Sequence, residues 1–219
     1  MSRSQIAYLE SIKPVFIRPE LLLEPQIIKP LHGLNPRTIL GQSWWDEKRV
    51  IAYKENNYCC WACGTHKNLI KDVKQRLEAH ESYNINITLK RYRLQEIVAL
   101  CPKCHNYIHG GRLTILYQQG LITKEQYILI NNWGDTVLYK ANLNLNDAWW
   151  ITFQDHFFPE KMGTWNEWYL EIEGTRYYSK FKSYEEWQEF YSRSDRSELR
   201  KNTTTSNRDR RSRSGSHPD

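Results

Sequence analysis

The residues best equipped for chemistry are two cysteine pairs, Cys60-Trp-Ala-Cys63 and Cys101-Pro-Lys-Cys104, with 37 residues between them. A Cys-x-x-Cys turn presents two thiolates to one ion. Two such turns complete the tetrahedral four-thiolate site that zinc prefers. The chain has five cysteines, an odd number, and its first residues lack the apolar stretch of a secretory leader. Both features argue against a disulfide framework. Cys59 is left over and is expected to pack or to play no part.

Histidines follow the second pair. His105 and His109 are spaced i, i+4, so on a helix they project from one face. That helix would begin at the second cysteine pair, where the metal fixes it. His80 and Glu81 end the run Leu77-Glu-Ala-His80-Glu81, a strand candidate that could lie beside the helix. A second divalent site made of His80, His105 and His109 is therefore expected next to the four-cysteine site. Each histidine also has an ordinary reading. His105 could hydrogen-bond around the zinc, His109 could be a cation at a helix C-terminus, and His80 could be a satisfied strand histidine. Glu78 shares a strand face with His80 and is expected to be structural. Arg112, just past the helix, could grip a phosphate or form a surface salt bridge.

The elements that must position these groups can be sketched from pattern. Residues 1–43 hold five prolines, Pro14, Pro19, Pro25, Pro30 and Pro36, and predict an extended arm whose apolar residues dock on the body. Ser43 opens a capping-box-like S-W-W-D ahead of a helix over 44–56, with Trp45, Ile51 and Ala52 as core contacts. Leu77–Glu81 and Gln95–Leu100 alternate as short strands. Cys104–His109 reads as a short helix stopped by Gly110-Gly111. Residues 112–119 read as another helical turn or two, ended by Gly120. Thr123-Lys-Glu-Gln126 caps a helix running to about Asn132. Trp168–Glu173, Gly174 and Thr175–Ser179 read as a β-hairpin. Ser183 starts a helix whose Tyr184, Trp187, Phe190 and Tyr191 share one face. Core packing and a base-stacking platform are both open for that stripe.

Charge says less than its total suggests. The net charge is +6 with 40% hydrophobic residues, enough apolar content for a core. Residues 193–219 carry eight Lys/Arg against four acids, so they hold +4 and residues 1–192 only +2. The folded part is thus no strongly basic binder. Two local basic sets remain: Lys67, Lys71, Lys74 and Arg76 before the first strand, and Lys90, Arg91 and Arg93 before the second. They could flank a nucleic-acid groove or form solvated loops. No apolar run approaches the ~18 residues of a membrane span, so no membrane association is expected.

The segment from Trp44 to Leu113, about 70 of the 219 residues, resembles the HNH endonucleases of the His-Me finger (ββα-metal) group in their four-cysteine variant. The specific pattern is Leu100-Cys-Pro-x-Cys-His-x-x-x-His109. The flanking Lys29-Pro-Leu-His-Gly-Leu-Asn-Pro-Arg37 and His109-Gly-Gly-Arg-Leu113 resemble small bacterial and phage HNH-like proteins. The resemblance implies that His80, His105 and His109 hold a catalytic Mg²⁺ or other divalent ion, with Glu81 at the general-base position or as a fourth ligand; the other register makes His80 itself the catalytic base and puts Ala79, which cannot coordinate, at the ligand position. Family members place histidine at the base position. Carboxylate pKa values lie near ~4.3, against ~6.5 for imidazole, so Glu81 is the weaker base. The asparagine of the family name is also replaced: Glu96 stands at that place, and Asn84 or Asn86 could serve instead.

Together these readings give an α+β chain. A Pro-rich arm (1–43) precedes a zinc-stapled treble-clef/ββα-metal core (44–140). An aromatic-rich module of β-hairpin plus helix (141–191) follows, then an Arg/Ser-rich tail (192–219) too polar to order itself. The expected function is metal-dependent hydrolysis of DNA phosphodiesters, with Zn²⁺ as structural ion. Phosphate contacts are expected from Arg112, Lys90, Arg91 and Arg93, in a cytoplasmic protein. RNA and a protein partner stay open. The competing reading is a non-catalytic zinc-binding treble-clef protein that binds nucleic acid or protein.

Overall fold

The computed structural model describes residues 8, 12–70, 76–148 and 162–192. The tail beyond Ser192, and Lys71 and Lys74 of the first basic set, lie outside the described residues.

The fold is mixed α+β around one four-stranded sheet of order β1-β2-β3-β4. The strands are β1 (Glu78–Asn86), β2 (Arg91–Leu100), β3 (Tyr169–Ile172) and β4 (Thr175–Tyr178). β1 and β2 are antiparallel, with His80 opposite Val98, and the register slips between Ser82 and Tyr83. Both strands run past their expected limits, because Tyr83, Ile85 and Tyr92 supply a second apolar stretch beyond the slip. β3 pairs with β2 in parallel, Arg91 opposite Tyr169. The predicted C-terminal hairpin therefore continues the β1–β2 sheet. Its turn places Glu173 and Gly174 at φ of 50° and 80°, the left-handed pair that a tight two-residue hairpin needs.

Six helices flank the sheet among the described residues. Helix α1 (Pro36–Leu40) is capped by Asn35, whose Oδ1 accepts from Thr38 N at 2.8 Å. Helix α2 (Gln42–Glu55) begins two residues earlier than the capping-box reading places it. Gly41, at φ 90°, is its N-cap, and Ser43 lies inside the first turn. Trp45 and Ala52 are buried as expected, whereas Ile51 is 42% exposed, because the helix turns that position to solvent. Helix α3 (Pro102–Ile108) leaves β2 directly. α3 stops ahead of Gly110-Gly111 as expected, and helix α4 (Gly110–Gln118) begins two residues before the expected 112, with His109 serving as C-cap of α3 and N-cap of α4. A Cβ at Gly111 would meet the Gln26 side-chain amide of the arm at 3.0 Å, so the arm packs closely on the start of this helix. Helix α5 (Lys124–Lys140) has the predicted Thr123/Gln126 capping box. It continues beyond Asn132, since Trp133, Val137 and Leu138 extend its apolar stripe into the core. Helix α6 occupies residues 184–192.

Two apolar clusters hold these parts together. One gathers Trp45, Trp61, Leu77, Val98, Leu100 and Ile108. The other gathers Tyr92, Met162, Trp165, Trp168, Leu170 and Phe181. The proline-rich arm joins both: Leu21 and Leu22 enter the first, Ile28 and Leu31 the second. Burying four such side chains contributes roughly 1.5–3 kcal/mol each, which explains why a proline-rich segment is fixed on the body. No helix among the described residues is long and apolar enough to cross a membrane.

Candidate metal centres

The first cysteine pair is closed by its own backbone. Gly64 at φ 74° lets its N–H reach Cys60 O at 2.8 Å. Trp61 then docks the loop twice: its backbone N–H donates to Ala99 O at 2.8 Å and its indole Nε1 to Ala52 O at 2.9 Å. Ala99 is two residues before Cys101, so this docking brings the pairs together. The four sulfurs of Cys60, Cys63, Cys101 and Cys104 lie within 4.8 Å of one another. Cys63 Sγ and Cys101 Sγ are 3.7 Å apart, far longer than a disulfide. A tetrahedron with zinc–sulfur bonds of about 2.3 Å has edges of about 3.8 Å. Without a cation, four thiols this close cannot all ionise. Mutual hydrogen bonding and burial push Cys60 and Cys104 well above the ordinary thiol range and Cys63 below it. The cluster could hold a metal such as zinc. Cys59 is buried, free and outside it.

The second cluster stands on β1 and α3. His80 is 8% exposed, and His105 and His109 are partly buried. Ring centroids are 5.4 Å apart for His80–His105, 4.9 Å for His80–His109 and 4.7 Å for His105–His109. One ring nitrogen from each lies within 4.8 Å of the others. Burial and mutual repulsion push His80 well below the usual imidazole range and His109 down to about 4. His80 and His109 are therefore neutral at pH 7, the state in which imidazole binds metal. His80 Nδ1 is buried with no hydrogen-bond partner. A buried orphan nitrogen costs stability unless something meets it, so three imidazoles gathered around one point suit a metal. Zinc and its transition-metal neighbours match such a donor set better than the oxygen-seeking Mg²⁺.

Around these rings the carboxylates sort themselves. Glu78 Oε2 is 2.8 Å from His105 Nδ1, close enough for a charge contact though not aligned as a hydrogen bond. His105 holds its carboxyl below the usual range. Glu78 can thus orient the ring, a role beyond the structural one expected. Glu81 is not part of the close group that the three imidazoles form, and burial raises its carboxyl. It lines a cleft of about 310 Å³ with Glu24, His32, His80, Tyr83 and His109. Glu24 escaped the sequence reading. It lies in the arm, and its Oε1 accepts from Ser82 Oγ at 2.5 Å.

The expected phosphate contacts divide. Arg112 sits in the first turn of α4, exposed, 3.5 Å from Asn106 Oδ1, and its charge lowers both Glu78 and His109. Lys90, Arg91 and Arg93 gather at the far end of β2. Arg91 and Arg93 face Asn86 and Asn84, six and four residues from His80, or roughly 13–20 Å along a strand. Lys90 is bound to Glu167, and Arg91 donates to Asn84 Oδ1 at 3.2 Å. Asn86 accepts from Leu89 N at the turn, and Glu96 binds Arg18 at 2.7 Å. In the aromatic stripe, Tyr184, Trp187 and Tyr191 pack on the second apolar cluster, while Phe190 is 46% exposed. Trp187 Nε1 donates to His32 Nδ1 at 3.2 Å. No known family model, curated protein or solved structure matches the chain.

Proposed function

We propose that the protein is a metal-dependent endonuclease of HNH type that hydrolyses DNA phosphodiesters, with a structural zinc on the four cysteines. The observation that carries this reading is the convergence of His80, His105 and His109 on one point, beside a cleft and next to the four-cysteine cluster. Antiparallel β1–β2 running straight into α3 is the ββα order that the sequence resemblance implies.

A divalent ion on the three imidazoles would supply Lewis-acid stabilisation of charge on the phosphoryl and departing oxygens. The residues of the chain do the rest. Glu78 fixes the His105 ring, which keeps a ligand nitrogen aimed inward. Glu81 lines the cleft beside His80 and, once deprotonated, accepts a proton from the attacking water. Burial raises its basicity above that of a free carboxylate, which offsets part of the loss from replacing histidine. Arg112, exposed in the first turn of α4 with its charge felt by Glu78 and His109, would be the phosphate contact. DNA as the substrate follows from the sequence resemblance alone.

Plasmid nicking tests the reading. Protein supplied with Zn²⁺, Mn²⁺ or Mg²⁺ should nick supercoiled DNA, and His105→Ala and Glu81→Gln should each lose at least about 100-fold. The second reading is a non-catalytic binding protein. It draws on the carboxyl at the base position and on the pairing of Lys90 and Arg91 within the protein. Binding of DNA without cleavage by metal-loaded protein would favour it.

A further inference from the structure

We infer that Glu24, carried by the proline-rich arm, is the general acid that protonates the departing oxygen. The inference rests on the phosphodiesterase reading above.

The geometry comes first. Glu24 is bound to β1 through Ser82, two residues from His80 on the same strand face. It lines the cleft that His80, Glu81 and His109 also line. Only Oε1 is taken by Ser82, which leaves Oε2 for a substrate oxygen. The arm is held on both sides of this point, by Leu21 and Leu22 in one apolar cluster and Ile28 and Leu31 in the other. A carboxyl fixed in this way is placed by the fold, as an acid catalyst must be.

Its surroundings then set its protonation. Burial raises the Glu24 carboxyl to about 7, against a downward pull from Ser82 and Arg18. Glu20 on the arm and Glu96 on β2 push it further up. Tyr83 feels its charge, and Glu81, His32, His80 and His109 share its cleft. A carboxyl still half protonated at neutral pH can donate, and a cleft with two carboxyls of different environment divides acid and base work between them. The step balances without redox change. The oxygen of water bonds to phosphorus, the ester P–O bond breaks, Glu81 takes a proton from water, and Glu24 gives its proton to the departing oxygen.

The test compares two leaving groups. A sugar alkoxide needs a proton to depart and p-nitrophenolate does not. Glu24→Gln should therefore lose about 100-fold or more on plasmid DNA. Its loss on bis(p-nitrophenyl) phosphate should be at least about 30-fold smaller. A readout without activity accompanies it: in metal-free protein carrying ¹³C-labelled glutamate, one carboxyl should titrate at about 7 and be missing from Glu24→Gln. Ser82→Ala should move that titration upward by about half to one pH unit, since it removes a hydrogen bond to the charged form. Equal losses on both substrates, or no glutamate titrating above the ordinary range, overturn the inference while leaving the nuclease reading intact. Wild-type protein that cleaves neither substrate overturns both.

Discussion

The cysteine cluster and the histidine cluster grow from the same β2–α3 junction yet are built to different rules. Three of the four cysteines are buried, and the first loop is tied down by backbone hydrogen bonds from Gly64 and Trp61. The three histidines come from two elements, β1 and α3, and open on a cleft of about 310 Å³ lined by carboxyls and aromatic rings. A closed four-sulfur set leaves no position for a substrate, whereas a three-ligand set beside a cleft does. On the function proposed above, stability falls to one cluster and chemistry to the other. They are also coupled: α3 carries Cys104, His105 and His109, so the sulfur site fixes the start of the helix that presents the imidazoles.

The strongest break in this comparison is loss of the sulfur site. Cys101→Ser with Cys104→Ser, or zinc chelation, should unfold the β2–α3 region. Structural zinc supplies folding free energy on the order of 10 kcal/mol, and the loss should show as collapse of the thermal transition in circular dichroism. His105→Ala should do the reverse, removing about 3 kcal/mol or more of transition-state stabilisation while the cooperative melt survives. A survey of nicking rate beside melting temperature separates the two.

Acid should act on the histidine site first. His109 is depressed in the folded protein to about 4, so between about 6.5 and 4 the unfolded chain binds the extra proton. Metal-free protein should thus lose stability as pH falls through that window. At 1.36 kcal/mol per unit the loss from His109 is roughly 3 kcal/mol, and His80 adds in the same direction. Urea titrations at pH 7 and pH 4.5 measure it, and His109→Ala should flatten the difference. Gly134→Ala tests the shared helix. A Cβ there would fall 2.1 Å from the Tyr107 ring, so α3 and α5 must separate, at about 1–3 kcal/mol. That should lower the melting temperature and loosen metal at both clusters. Glu78→Gln is the mildest change. It should weaken metal binding at the histidines about 10–100-fold, by isothermal titration, and leave the sulfur site untouched.

What could be read in advance depended on distance along the chain. The cysteine pairs and the His105/His109 spacing are local patterns, and both clusters form as those patterns imply. The Thr123 capping box and the Gly174 hairpin turn were legible for the same reason. The stop at Gly110-Gly111 was legible too, since α3 ends at Ile108; that the next helix starts on the glycines themselves, with Gly111 against the Gln26 side chain of the arm, was not, because that contact is tertiary. Ser43 has the right residue type for a cap, but Gly41 provides the backbone conformation and starts the helix earlier. Glu24 carried no signal at all. Nothing about one glutamate among prolines foretells a partner on β1, and its importance comes wholly from where the two apolar clusters hold the arm.

The central claim is that the histidine cluster performs metal-dependent cleavage while the cysteine cluster only holds the fold. The most direct test measures metal content and plasmid nicking on the same preparations of wild type and the His105→Ala/His109→Ala double variant. The account predicts two bound divalent ions and nicking for wild type. For the variant it predicts one ion, an intact melting transition and at least about 100-fold less nicking. Undiminished nicking by a variant that has lost its second ion, or two-ion protein that leaves plasmid uncut, would contradict it.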